Sequence, residues 1–250
     1  MAPSPGLLQE RWAVRPWIGT SGWSYDAWKG SFYPEKIGKS NMLGYYAQRL
    51  SAVEVNNTFY RLPKREMLEG WTSQVDASFR FALKASRRIT HQAKLGEGGF
   101  EALDFLTRNR GALGEAAGPI LFQTPPWLKK DLGLLNAFLD QLDDGLPAAL
   151  EFRSTSWFDD EVFESLRARN AALVIAQTDE GEKDPPFETT ASWGYLRLRK
   201  TAYGDGEVEE WVERIRGAGW DDVYVFFKHE DEGTGPSLAG RMLGELGGRP

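Results

Sequence analysis

Apolar and polar positions follow two rhythms along this chain. Eight short runs rich in Val, Ile, Leu and Phe predict strands at Trp17–Ser21, Ala52–Asn56, Phe79–Lys84, Pro119–Gln123, Ala148–Arg153, Ala172–Gln177, Trp193–Leu198 and Asp222–Phe227. Several are almost continuously apolar, as strands covered on both faces are. Between them, helical spacing predicts helices at Asn41–Leu50, Lys64–Val75, Phe100–Glu115, Asp131–Leu142, Asp159–Ala168, Val208–Gly217 and Pro236–Leu246. The stretch Thr178–Ser192 carries Pro185-Pro186 and reads as a loop with at most a short helix. Strand then helix, repeated around the chain, predicts a single-domain α/β fold, a (β/α)8 TIM-type barrel. A doubly wound open sheet is the rival, weakened because no G-x-G-x-x-G follows a strand. Residues 1–15 read as a flexible tail, and 16–250 as the barrel domain.

Period two assigns the polar residues of each strand to a face. In the second strand Glu54 and Asn56 share a side; in the fifth, Glu151 and Arg153; in the seventh, Tyr195, Arg197 and Arg199. Lys84, Gln123 and Gln177 end the third, fourth and sixth strands, Asp179 follows the sixth, and Lys228 and His229 follow the eighth. In a barrel these positions converge on the mouth where chemistry sits. Buried charges are costly unless paired. Either they fill the mouth as ion pairs, or they hold a charged ligand. The loops after the first, second, fourth and fifth strands add Trp23, Tyr25, Trp28, Phe32, Tyr33, Phe59, Tyr60, Trp127 and Trp157, which either cap the barrel or form a stacking wall. A weaker signal is Gly233-Thr234-Gly235-Pro236-Ser237, where Pro236 suits the first helical position and the helix start could hold an anion.

Composition narrows the choice. The 250 residues are 41% hydrophobic and 26% charged, so a globular core is expected. A net charge of −6 argues against broad, non-specific DNA binding but leaves room for a local basic pocket. There is no cysteine, which excludes thiolate metal sites and Cys nucleophiles. No apolar stretch is long enough to span a membrane and no secretory signal is evident, so a cytoplasmic location is the expectation. The two histidines, His91 and His229, lack zinc-site spacing. A divalent Mg or Mn site on Glu54, Glu151 and Asp179 is a secondary expectation. No organic cofactor motif is present.

Longer motifs resemble the DUF72 (YecE-like) family. They are Gly19-Thr20-Ser21-Gly22-Trp23-Ser24-Tyr25-Asp26-Ala27-Trp28-Lys29-Gly30-Ser31-Phe32-Tyr33-Pro34 and Glu54-Val55-Asn56-Asn57-Thr58-Phe59-Tyr60-Arg61-Leu62-Pro63. Phe81-Ala82-Leu83-Lys84, Ile89-Thr90-His91, Gln123-Thr124-Pro125-Pro126 and Glu151-Phe152-Arg153-Ser154-Thr155-Ser156-Trp157 continue the match. The resemblance implies a TIM-type barrel and supplies no reaction. This chain departs from the family pattern at Arg197-Leu198-Arg199-Lys200, where Arg-x-His-Gly is usual, and at Phe227-Lys228-His229, where Phe-Asn-Asn is usual. Thr124 stands where Leu is usual.

The first functional expectation is acid/base chemistry, of isomerase or hydrolase type, on an anionic polar small molecule such as a sugar phosphate or sugar acid. Glu54, Glu151 and His229 would be catalytic. Ser21, Trp23, Tyr25, Trp28, Asn56, Tyr60, Lys84, His91, Gln123, Arg153, Trp157, Asp179, Arg197, Arg199 and Lys228 would bind substrate. The alternatives are a metal-dependent phosphoesterase or nuclease, and a non-catalytic module binding an anion or nucleic acid.

Overall fold

A computed structural model describes residues 14–204, 206–228 and 232–248. Its eight strands are β1 (Arg15–Ser21), β2 (Ala52–Val55), β3 (Arg80–Lys84), β4 (Ala117–Gln123), β5 (Ala148–Glu151), β6 (Ala172–Gln177), β7 (Trp193–Leu198) and β8 (Asp222–Phe227). All pair in parallel in chain order, and β8 returns to β1, closing the barrel. The helices are α1 (Met42–Ala47), α2 (Arg65–Thr72), α3 (Phe100–Arg110), α4 (Leu132–Leu139), α5 (Asp160–Ala168), α6 (Glu207–Gly217) and α7 (Thr234–Glu245). The expected barrel is the fold, and every expected strand and helix has a counterpart. The segment between β6 and β7 is a loop, as its prolines suggest.

Alternation along the strands builds two cores. Outward residues such as Ile18, Val53, Phe81, Ile120, Leu150, Ile175, Leu196 and Val225 pack under the helices. Inward residues form a separate cluster inside the barrel: Trp17, Ala52, Ala82, Leu121, Ala149, Val174, Tyr195, Tyr224 and Phe226 among them. Small residues on β2, β3, β5 and β6 face the aromatic ones of β1, β7 and β8, so the interior is filled rather than open. Gly19 has to be glycine because a Cβ there would lie 1.7 Å from the Ala52 carbonyl oxygen.

Three expectations on boundaries change. The predicted helix Phe100–Glu115 breaks after Arg110 into a tighter 3-10 stretch, Gly111–Ala116, in which Gly114 takes a positive φ of 53°. α7 begins at Thr234, so Pro236 is its third residue, not its first. The tail expectation falls mostly on residues 1–13, outside those described; Val14 is already buried and Arg15 opens β1.

Candidate active site at the barrel mouth

Period two aims Glu54, Glu151, Arg197, Lys84 and Gln123 at the C-terminal end of the barrel, and the structure brings all five together. Glu54 is fully buried. Its Oε1 accepts from Ser21 Oγ at 2.8 Å, Asn56 Nδ2 at 3.1 Å and Arg197 Nη2 at 2.8 Å. Its Oε2 accepts from Tyr195 Oη at 2.8 Å and Arg197 Nε at 2.9 Å. Arg197 therefore grips Glu54 with two N–H groups, and its third nitrogen donates to Glu151 Oε2 at 2.6 Å. Gln123 Nε2 donates to the same Glu151 oxygen at 2.8 Å, and its Oε1 accepts from Lys84 Nζ at 2.9 Å.

Electrostatics divides this ring in two. Burial alone would raise the Glu54 carboxyl, but the Arg197 charge and the surrounding donors outweigh it and hold it at about 2. Glu151 is lowered in the same way, with Arg197 and Arg199 overcoming burial. Arg197 is raised, because the two carboxylates exceed the cost of its burial. The opposite holds one layer outward. Burial, then the Arg197 charge, push Lys84 down to about 8. Arg199 is lowered by burial and by Arg197. Its Nη1 stands 3.6 Å from Glu151 Oε1, and its buried Nε has no hydrogen-bond partner among the described residues. Arg153 is exposed, and its charge contributes to lowering both Arg199 and His91. Among the described residues, the two buried glutamates thus sit with three cations, Arg197, Arg199 and Lys84.

The loop residues divide as well. Tyr25 donates from Oη to the Ser21 carbonyl at 2.6 Å, fixing the turn at Gly22, whose φ is +99°. His91 lies edge-on to Phe59 at 5.0 Å with its Nδ1 2.9 Å from Thr90 Oγ1, and Lys84 Nζ sits 4.6 Å from the Phe59 ring centre. Tyr60 is 72% exposed and Trp127 55%.

Several expected ligand-binding residues do other work. Trp28 is completely buried among Tyr25, Phe32 and Tyr33. Trp157 is completely buried, stacked on Phe152 at 4.6 Å, with its Nε1 donating to the Leu128 carbonyl. Both brace loops and offer no face to a ligand. Trp23 packs edge-on against Trp71 of α2. Asp179 is exposed and accepts from the Thr201 N–H and hydroxyl, so it ties the loop after β6 to that after β7 rather than joining the glutamates. Lys228 is exposed at the end of β8. His229 lies outside the described residues. Tyr195 was the residue sequence reasoning left out of the site, although its parity with Arg197 was the available signal.

The expected Mg or Mn site does not fit. Asp179 is elsewhere, and Arg197 already engages the oxygens of Glu54 and one oxygen of Glu151. Among the described residues, no group of three or more acidic or histidine side chains is placed to hold a metal ion. Nor, among them, is any helix long and apolar enough to cross a membrane.

A closed eight-stranded barrel with a charged mouth at its C-terminal end defines the broad class, the TIM-type barrel proteins. Within it, the chain belongs to the family described as "Protein of unknown function DUF72", whose model matches residues 17–250. It is 24% identical to the UPF0759 protein YunF of Bacillus subtilis, covering 91% of this chain and 93% of that one. It is 32% identical to the UPF0759 protein YecE of Escherichia coli K12 over 57% of this chain and 50% of that one. Among solved structures, a DUF72 family protein of Thermotoga maritima superposes with a TM-score of 0.81 at 24% identity, covering 93% of this chain and 99% of that one. One of Enterococcus faecalis gives 0.73 at 20%, covering 94% and 98%. These two likenesses concern the fold.

Proposed function

We propose that the barrel mouth binds an anionic polar small molecule, such as a sugar phosphate or sugar acid, and carries out acid/base chemistry on it, of isomerase or hydrolase type. One observation carries this reading: among the described residues, neither outer cation, Lys84 or Arg199, hydrogen-bonds a carboxylate, Arg199 standing 3.6 Å from Glu151, while Arg197 holds both glutamates. Two cations at the C-terminal end of barrel strands that keep donors free of carboxylate hydrogen bonds are suited to an anionic ligand.

The roles shift from those the sequence suggested. A carboxyl held at about 2 by the Arg197 charge and the donors around it is a poor proton carrier near neutrality, and Glu151 is lowered too. Glu54 and Glu151 instead fix the Arg197 guanidinium. The proton carrier we assign is Lys84, at about 8, which donates one hydrogen bond to neutral Gln123. Arg199 and Arg153 hold the anion. A non-catalytic anion-binding module would use the same groups without turnover.

The test begins with inorganic phosphate in a thermal-unfolding assay, followed by sugar phosphates and sugar acids with product analysis. Phosphate should stabilise the protein at pH 7, and its affinity should fall as pH rises through about 8, where Lys84 loses its proton. Lys84→Met should abolish that pH step. Stabilisation that is equal in wild type and in an Arg199→Met, Lys84→Met double variant would refute the site. Binding without turnover of any ligand would leave the binding module.

A further inference from the structure

Beside the mouth lies a concavity of about 730 Å³. The loop after β2, the π-helical turn Arg88–Gln92 and the outer face of α3 line it. Its walls carry Tyr60, Arg61, Arg88, Phe105 and Arg108, with Glu101 as the acidic lining residue. Asp104 pairs with Arg108. Arg61 and Arg88 are exposed, and their side chains have no hydrogen-bond or ion-pair partner among the described residues. Tyr60 is 72% exposed and Phe105 39%, in a protein whose other large apolar side chains are mostly covered. The ring of Phe59 joins this groove to the mouth: Lys84 lies 4.6 Å from its centre and Tyr60 5.1 Å.

Guanidiniums without acidic partners recognise phosphates, and uncovered rings beside them stack bases. The volume exceeds what one small anion needs, and the groove is open. We propose that it binds single-stranded nucleic acid, with Arg61 and Arg88 on the phosphates and Tyr60 and Phe105 under the bases. The overall charge of −6 confines such binding to this local patch. Entry of the strand's terminal phosphate into the mouth is a separate step, and that step rests on the function proposed above.

Fluorescence anisotropy of a labelled single-stranded oligothymidylate, titrated with the full chain at several salt concentrations, tests the groove. Arg61→Ala, Arg88→Ala should flatten the log–log salt dependence by about 0.7 for each phosphate contact removed. Tyr60→Ala should weaken binding roughly tenfold while changing the salt dependence little. An abasic oligomer of equal length should bind wild type more weakly still, about as weakly as the thymidylate binds a Tyr60→Ala, Phe105→Ala double variant. Equal binding of the abasic and base-bearing strands would overturn the proposal. So would equal competition by an acidic polysaccharide of matched charge, or unchanged binding in the arginine variant. Phosphate stabilisation of the same variants reports on the mouth alone. If it persists while strand binding is absent, the groove inference falls and the mouth reading stands.

Discussion

The two ends of the barrel interior are built on opposite terms. At the N-terminal end, Trp17 stacks on Tyr224 at 6.2 Å, and Trp193 meets the same ring edge-on at 5.9 Å. Both indoles are satisfied: Trp17 donates to Asp222 Oδ1 at 2.8 Å and Trp193 to the Asn170 carbonyl at 3.2 Å. Arg80 lies over the Trp17 ring at 4.1 Å, and Arg15 pairs with Asp222. At the C-terminal end, the same inward positions carry Glu54, Glu151, Arg197, Lys84 and Gln123. There the chain has given up solvation of several charges, and Arg199 keeps a buried N–H without a partner among the described residues. One end is arranged for stability. The other accepts a cost that a ligand would offset.

Breaking each end should expose the difference. The largest effect is expected for Arg197→Met, which strands two buried carboxylates and should cost about 3–5 kcal/mol in denaturant unfolding. Adding Glu54→Gln and Glu151→Gln should restore most of that loss; no restoration would mean the triad is not the unit described. Trp17→Ala, at the opposite end, should cost roughly 3 kcal/mol through a cavity while leaving phosphate affinity unchanged. A pH series sharpens the contrast. Glu54 sits at about 2 in the folded protein against an ordinary 4.5, so its contribution is present above 4.5 and is lost as pH falls through 2. The stability difference between wild type and Glu54→Gln should therefore shrink by about 3 kcal/mol over that window. The smallest loss of stability, none at pH 7, is expected for Lys84→Met, which removes a charge whose burial is penalised, with phosphate binding weakened instead. For Lys84 the sign is reversed. Its folded value of about 8 lies below the ordinary 10.5, so its burial penalty is relieved as pH rises from 8 to 10.5, a rise the variant should lack.

Much of this was legible in the sequence, for a physical reason. Parity is local, so Glu54 with Asn56, and Tyr195 with Arg197, could be assigned to one face from the strand alone. Closure then had to bring the faces together, and the recurrence of strand and helix implied it. Partner choice was not legible. Nothing local says that Arg197 takes both glutamates and leaves Lys84 to an amide. The loops were least legible. Trp28 and Trp157 look from sequence like Tyr60 and Trp127, yet the first two are buried and the last two exposed. That outcome depends on how each loop folds back, as when Phe152 receives the Trp157 ring. Asp179 was misplaced for the same reason: Thr201, across the next strand, captured it.

Barrel closure also orders events in time. Glu54 and Arg197 stand 143 positions apart in the chain, and β1 meets β8 across an even longer span. Contacts so remote in sequence form late, after the local strand–helix units have collapsed. The mouth cannot exist in any half-closed intermediate, since its glutamate and its guanidinium arrive from opposite halves of the polypeptide. Recovery of anion binding during refolding would then lag recovery of helical circular dichroism. The interval between them would time the last seam to shut.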